Sequence, residues 1–335
     1  MQDYDNTNRA PPQELHELEK LLDKSTARRR DINRAVALAE GVMKPERISS
    51  MANCGNYLSF LHSKDFDKTK LETGFFCGNR FCPACAWRKA AHDAVEINCI
   101  LQAAIDDGYE LYFATLTAQS VKKTELRDAI QRYDKGYTAM MRSAACKSIK
   151  GALRKLEVTY NSSEDWYHPH IHSVWMVPKN WRRSKDYIDA IKLADIWSKA
   201  LSGSYAVNAA AQDVRKVKSA RREDVLEFAK YPAKSCDYLH SKDVFEAFYF
   251  ALHGIRLRTY MRVARSYKSQ YKHGLLDKYK EPDTTRYYWR SMWLWSQNTT
   301  HYNMDKIQTL ENPITFGTSD TDETGGDESE DAPSD

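Results

Sequence analysis

Residues 166 to 177 read WYHPHIHSVWMV, and no other stretch limits the fold of this chain as tightly. His168, His170 and His172 fall at alternate positions, and Val174, Trp175, Met176 and Val177 follow at once. In an extended chain, side chains two apart share a face and lie roughly 6.6 Å apart. The pattern predicts a β-strand that lines up three imidazoles on one side, with Ile171 and Val174 helping to bury it. Such a row is costly on a half-buried strand unless something binds it, and the usual something is a metal ion. The preceding stretch ALRKLEVTYNS also reads as a strand, and a hairpin would set Glu157 across from the histidine face. Two imidazoles and a carboxylate leave open coordination positions, a catalytic rather than a structural arrangement. His170, His172 and Glu157 are therefore candidate ligands. His168 precedes Pro169 and suits the strand's first residue, where it either ligates or only hydrogen-bonds. The plain alternative is a histidine-rich surface strand.

Four of the seven cysteines also cluster. Cys77, Cys82 and Cys85 in FFCGNRFCPACAWRK are spaced C-x4-C-x2-C, and 22 residues separate Cys54 from Cys77. Four thiolates so placed can close a tetrahedral zinc site, with Gly78 and Pro83 supplying the turns of a knuckle. A plant-type iron–sulfur cluster uses a similar run, but its distant cysteine follows the other three. The plain alternative is four unrelated buried thiols. Cys99, Cys146 and Cys236 stand outside the pattern and read as core.

Around these motifs the periodicity predicts a helix over 12 to 40, a Cys- and Gly-bearing segment with little period from 50 to 89, and a helix ending at Gly108. ELYFATLTAQ reads as a strand, residues 124 to 149 as helical, and SKDYIDAIKLADIWSKALSG as a helix closed by Gly203. AVNAAAQDVRKV reads as a strand, and the stretch from Asp243 to Ala264 as mostly helical. The order suits an α+β fold: a central, mainly antiparallel sheet flanked by helices, preceded by a zinc-binding module. Thr115 and Thr117 would flank the histidines from a neighbouring strand, or be ordinary β-branched strand residues.

Charge narrows the partner. The net charge is +4, yet residues 320 to 335 hold eight acidic residues and no Lys or Arg. Setting those eight negative charges aside leaves +12 on the rest, which also carries aromatic residues in number and suggests a polyanionic partner. The acidic tail has no apolar run and is expected to be disordered, either as a solubilising tail or as a mimic of nucleic acid. Residues 265 to 295 interleave basic and aromatic side chains, and Arg265, Lys268, Lys272, Arg286 and Arg290 are candidate DNA contacts there. An amphipathic shell around a C-terminal core accounts for them equally well. The runs Arg28 to Arg30 and Trp181 to Arg183 read as solvated surface. The opening residues lack an apolar signal core, and no window approaches the roughly 18 apolar residues of a membrane span. A cytoplasmic protein without membrane segments is expected.

One further octapeptide, EFAKYPAK, places Glu227, Tyr231 and Lys234 at helical spacing, although Pro232 disturbs an unbroken helix. Taken alone it is a weak signal. Together, however, RFCPACAWRK, YFATLTA, LEVTY with YHPHIHSVWMV, and EFAKYPAK with Asp237 after it resemble the rolling-circle replication initiators of small bacterial plasmids. These are single-tyrosine members of the HUH endonuclease superfamily, and the resemblance covers roughly residues 50 to 262. Order supports it: Tyr231 follows His172 by 59 residues, as in initiators, whereas conjugative relaxases place the tyrosine before the histidines.

The resemblance implies a palm-like sheet on which His170, His172 and Glu157 hold Mg²⁺ or Mn²⁺. It implies that Tyr231 attacks single-stranded origin DNA, that Lys234 stabilises its phenolate, and that Glu227 activates water to end replication. Host helicase and polymerase are the implied partners. The implied division is a helical segment at 1–49, the zinc module at 50–92, the nuclease domain at 93–262, the basic and aromatic extension at 263–317 and the tail at 318–335. A transposase or relaxase of the same chemistry, or a zinc-containing DNA-binding protein without catalysis, remain as alternatives.

Overall fold

A computed structural model describes residues 12–203, 205–217 and 235–316. In chain order they begin with α1 (Pro12–Ala39), α2 (Pro45–Ala52), β1 (Tyr57–Ser63), β2 (Thr69–Gly74), α3 (Pro83–Asp106), β3 (Glu110–Thr117) and α4 (Leu126–Arg142). The hairpin strands β4 (Gly151–Asn161) and β5 (Trp166–Val177) follow, then α5 (Ala190–Ala200), β6 (Asp213–Lys216), α6 (Ser235–Tyr238) and α7 (Lys242–Leu252). Last come β7 (Arg258–Arg262), α8 (Val263–Lys272), β8 (Arg286–Ser296) and β9 (His301–Thr315). The fold is α+β, with antiparallel sheets and flanking helices. The chain divides into two units, one of residues 1–88 and 281–326, the other chiefly of residues 89–280. Among the described residues, no helix is long and apolar enough to cross a membrane.

The larger unit is built on a five-stranded sheet in the order β6-β3-β5-β4-β7, every pairing antiparallel. Alternation along β5 decides which face each side chain meets. Val174 and Met176 join Leu111 and Leu153 in a core with Ile97, Ile100 and Ala104 of α3 and Ala264 and Tyr267 of α8. On the opposite face, Ser173 meets the Tyr137 hydroxyl of α4 at 2.6 Å, and Tyr167 packs edge-on against Phe248 of α7. Local chemistry marks the helix ends. Asp189 caps α5 by accepting from the Lys192 N–H, and Ser241 caps α7 by accepting from the Val244 N–H. Gly108, at φ +88°, takes the left-handed turn after α3 that a side chain would strain.

The smaller unit holds a four-stranded sheet, β2-β1-β8-β9. The segment 50–89, which shows little period in sequence, supplies two of its strands, and the basic and aromatic segment supplies β8. The cysteine-bearing segment and the basic and aromatic segment thus share one sheet, with Leu58 and Phe66 packed against Trp293, Trp295 and Tyr302 under Leu22 of α1. Residues 258–262, read as helical, form the edge strand β7. In the runs expected on the surface, Arg30, Arg182 and Arg183 are exposed, with two exceptions. Arg29 is buried, donating to Asn33, Asn56 and the Ala52 carbonyl, and Trp181 is buried with its indole N–H on the Ser148 hydroxyl. The acidic tail and the octapeptide 227–234 lie outside the described residues.

His62 makes the stability of the smaller unit depend on pH. Its ring is fully buried between the hydroxyls of Thr69 (3.0 Å) and Ser291 (2.7 Å). Burial pushes its pKa down to about 4. Unfolded, the ring protonates near pH 6.5, so between these values the unfolded state binds the extra proton and acid favours it. The contribution is complete above about pH 6.5 and is lost as pH falls towards 4. Urea unfolding should show wild type losing roughly 2 kcal/mol more than His62→Gln between pH 7 and pH 5. Equal losses would assign the acid sensitivity to other groups.

Candidate metal centres

Register brings the first centre together. On the hairpin, Glu157 of β4 pairs with His170 of β5, and Lys155 pairs with His172. On the other side of β5, Thr117 pairs with His170 and Thr115 with His172. Directly opposed residues of an antiparallel pair point to the same face. Glu157, His170 and His172 therefore converge, each offering one ligand atom within 4.8 Å of the others. Glu157 Oε2 lies 3.8 Å from His170 Nε2 and 3.5 Å from His172 Nε2.

The outer contacts set which ring nitrogen faces inward. His170 Nδ1–H donates to the carbonyl oxygen of His168 at 3.1 Å, which leaves Nε2 as the ring nitrogen nearer Glu157. Thr115 Oγ1 is 3.3 Å from His172 Nδ1 and orients the second ring in the same sense. Burial first, then the neighbouring His170, Lys155 and Arg215, pushes the His172 pKa down to about 3, so the ring is neutral at pH 7. The two Nε2 atoms and a Glu157 carboxylate oxygen then face one another in a half-buried site. That donor set fits a divalent ion with open positions.

His168 lies outside the trio. Its Nε2 is 2.9 Å from Thr117 Oγ1 and its Nδ1 is 3.1 Å from Ser120 Oγ, so hydroxyls engage both ring nitrogens. Thr115 and Thr117 thus each hold a histidine from β3. Sequence reasoning passed over Lys155, which is only 4% exposed and places Nζ 3.3 Å from Glu157 Oε2. The signal was present: Lys155 is two residues from Glu157 and so shares its face.

The second centre is the cysteine cluster. Cys54, Cys77, Cys82 and Cys85 converge, with Sγ–Sγ separations of 3.4 Å (Cys54–Cys82), 3.5 Å (Cys54–Cys85) and 3.7 Å (Cys77–Cys85). A tetrahedral Zn–S₄ site with bonds of about 2.3 Å needs sulfurs about 3.8 Å apart, so the cluster fits. Disulfides are excluded, since all four thiols are free. Cys54, Cys77 and Cys82 hydrogen-bond to Cys85 and lower its pKa, and the Gly78 N–H adds a bond at 3.3 Å. Gly78 adopts φ +68°, which the knuckle needs to aim that N–H. Cys99 and Cys146 are buried elsewhere.

The remaining candidates separate. Tyr231, Glu227 and Lys234 lie outside the described residues. Lys268 is ion-paired to the buried Glu96, and Arg290 makes a two-pronged pair with Glu72. Arg265 donates to the Tyr260 carbonyl at 2.9 Å, while Lys272 and Arg286 are exposed. Lys268 belongs to the larger unit and Arg290 to the smaller.

An antiparallel sheet presenting two histidines and a glutamate, in a chain with a four-cysteine cluster, offers two groups that could each hold a metal ion, and comparison supplies the class. The family described as "Replication protein" matches residues 68–303. "Protein rep" of Staphylococcus aureus is 36% identical over 193 residues, 57% of this chain and 83% of the relative. "Protein rep" of a Bacillus species is 32% identical over 60% of this chain and 70% of the relative, and that of Streptococcus pneumoniae is 30% identical over 56% and 60%. No solved structure matches. The chain belongs to the replication protein family, the initiators of rolling-circle plasmid replication.

Proposed function

We propose that the protein nicks one strand of origin DNA with a tyrosine nucleophile and later rejoins strands at the end of a replication round. The observation that carries this reading is the convergence of Glu157, His170 and His172 within 4.8 Å on one face of the hairpin. A Mg²⁺ or Mn²⁺ ion held by these three residues would polarise a phosphoryl oxygen of the scissile phosphate, and imidazole ligands favour Mn²⁺. The protein's own groups supply the rest. The Tyr231 phenolate attacks phosphorus, the 3′ oxygen leaves and takes up a proton, and the products are a 5′-phosphotyrosine and a 3′-OH primer. An ordinary tyrosine has a pKa of about 10, so the phenolate needs a stabilising cation, and Lys234 supplies it. The covalent link conserves the phosphodiester's free energy, so rejoining needs no ATP. Glu227 activates water for the terminating cleavage.

On the same reading the four cysteines hold a structural zinc, the sheet of the larger unit is the palm-like nuclease core, and the substrate is single-stranded DNA at the plasmid origin. Host helicase and polymerase act on the opened strand in the bacterial cytoplasm. The test incubates a labelled single-stranded oligonucleotide library with protein and Mn²⁺ and resolves the products under denaturing conditions. A covalent adduct that EDTA abolishes and that maps to Tyr231 is the expected result. Tight DNA binding without any adduct would return the protein to the non-catalytic DNA-binding class.

A further inference from the structure

We propose that Lys155 is the resident counter-cation of the metal centre. It holds Glu157 in its ligating position and keeps divalent-ion affinity low until a DNA phosphate joins the site. The inference rests on the metal-dependent nickase reading and concerns how that site is regulated.

The sheet itself delivers the lysine. Lys155 pairs with His172 on one side and with Arg258 of β7 on the other, so Thr115, His172, Lys155 and Arg258 form one polar row across four strands. The row before it, with Leu153 and Val174, is buried under α3 and α8. The row after it carries His170 and Glu157. Lys155 thus stands where the apolar cover gives way to the ligands, and it is 4% exposed. Burying an ammonium there is costly without a carboxylate beside it.

Arg258 in the same row has its own compensation, with Asp93 at 2.9 Å and Glu96 at 3.7 Å. Lys155 is paired with Glu157 Oε2 at 3.3 Å, the same oxygen that lies 3.5 Å from His172 and 3.8 Å from His170. One carboxylate oxygen is therefore the common vertex of a lysine and two ligand rings.

Two consequences follow from charge. Without metal, the ammonium offsets the charge of Glu157 and holds its carboxylate beside the two rings, so the ligand geometry is held in advance. When a divalent ion binds at the same oxygen, it meets a positive charge close by in a largely buried site, which opposes binding. An anionic phosphodiester at the open metal positions adds negative charge beside the two cations and so relieves that repulsion. Metal and DNA then bind cooperatively, and the coupling is reciprocal.

The test measures Mn²⁺ uptake by the full chain, from the electron paramagnetic resonance signal of the free ion, with and without a random-sequence single-stranded oligonucleotide. Lys155→Met and Lys155→Gln should bind Mn²⁺ alone about tenfold more tightly than wild type and lose most of the enhancement by DNA, whereas Lys155→Arg should behave as wild type. A purely structural lysine would predict the opposite, weaker Mn²⁺ binding in both neutral variants. Unchanged or weaker binding in either folded neutral variant overturns the inference. If wild type and His170→Ala take up Mn²⁺ equally poorly, the metal reading itself fails, and the role of Lys155 fails with it.

Discussion

His172→Ala should bind Mn²⁺ more than about a hundredfold more weakly than wild type and form the covalent DNA adduct correspondingly more slowly. Partners in the outer shell of a metal site typically cost about 10- to 100-fold when removed, and a direct ligand should exceed the top of that range. A hundredfold loss corresponds to about 2.7 kcal/mol. The structure gives reasons to expect no rescue. His172 is neutral, with its pKa pushed down to about 3, so at pH 7 it contributes a lone pair and no charge. His168 cannot substitute, because Thr117 and Ser120 engage both of its ring nitrogens. Thr115→Val, which removes only the contact on Nδ1, should fall within the outer-shell range. Tyr231→Phe provides the contrast: adduct formation should vanish while Mn²⁺ and DNA binding persist. Wild-type Mn²⁺ affinity in His172→Ala would remove this residue from the metal centre.

Cys82→Ser should release one zinc per chain and abolish the cooperative unfolding of the smaller unit. The expected size comes from coupling between metal binding and folding, worth roughly 10–16 kcal/mol in small zinc-finger peptides. Even half of that, about 5–8 kcal/mol, falls within the roughly 5–15 kcal/mol by which ordinary domains are stable. Cys82 is fully buried, 3.4 Å from Cys54, so the serine would leave a poor ligand among three crowded sulfurs. Cys146→Ser is the control, since Cys146 is just as buried but stands outside the cluster. It should keep the zinc and lose only a modest amount of stability. Measuring zinc content alongside thermal unfolding separates the two outcomes, and a Cys82→Ser protein with full zinc and wild-type melting would rule out the four-thiolate site.

Much of the first metal centre was legible because its grammar is local. Alternation placed His170 and His172 on one face, and a short turn from Asn161 to Trp166 was enough to bring Glu157 across from them. The cysteine cluster was legible for the same reason, with three of its members inside nine residues. His168 shared the alternation, yet what its ring touches depended on β3, a strand some fifty residues away. Alternation puts Lys155 on the face of Glu157, but only the neighbouring strands show that it is covered.

The second sheet was not legible at all. Its central pairing joins β1 to β8, more than two hundred residues apart, and nothing local in either segment names the other. The aromatic residues of β8, read equally as a stacking surface for bases or as a shell around a C-terminal core, include Trp293 and Trp295 in a core with Leu58 and Tyr302. By itself, the sequence determined the strand that carries the ligands, the hairpin partner and the thiolate set, because short-range period and turn chemistry act within a few residues. Tertiary structure alone decided which histidine leaves the trio, that a lysine is buried beside Glu157, and that the two ends of the chain share a sheet. Those outcomes depend on cross-strand register and long-range burial, which are properties of neighbours in space.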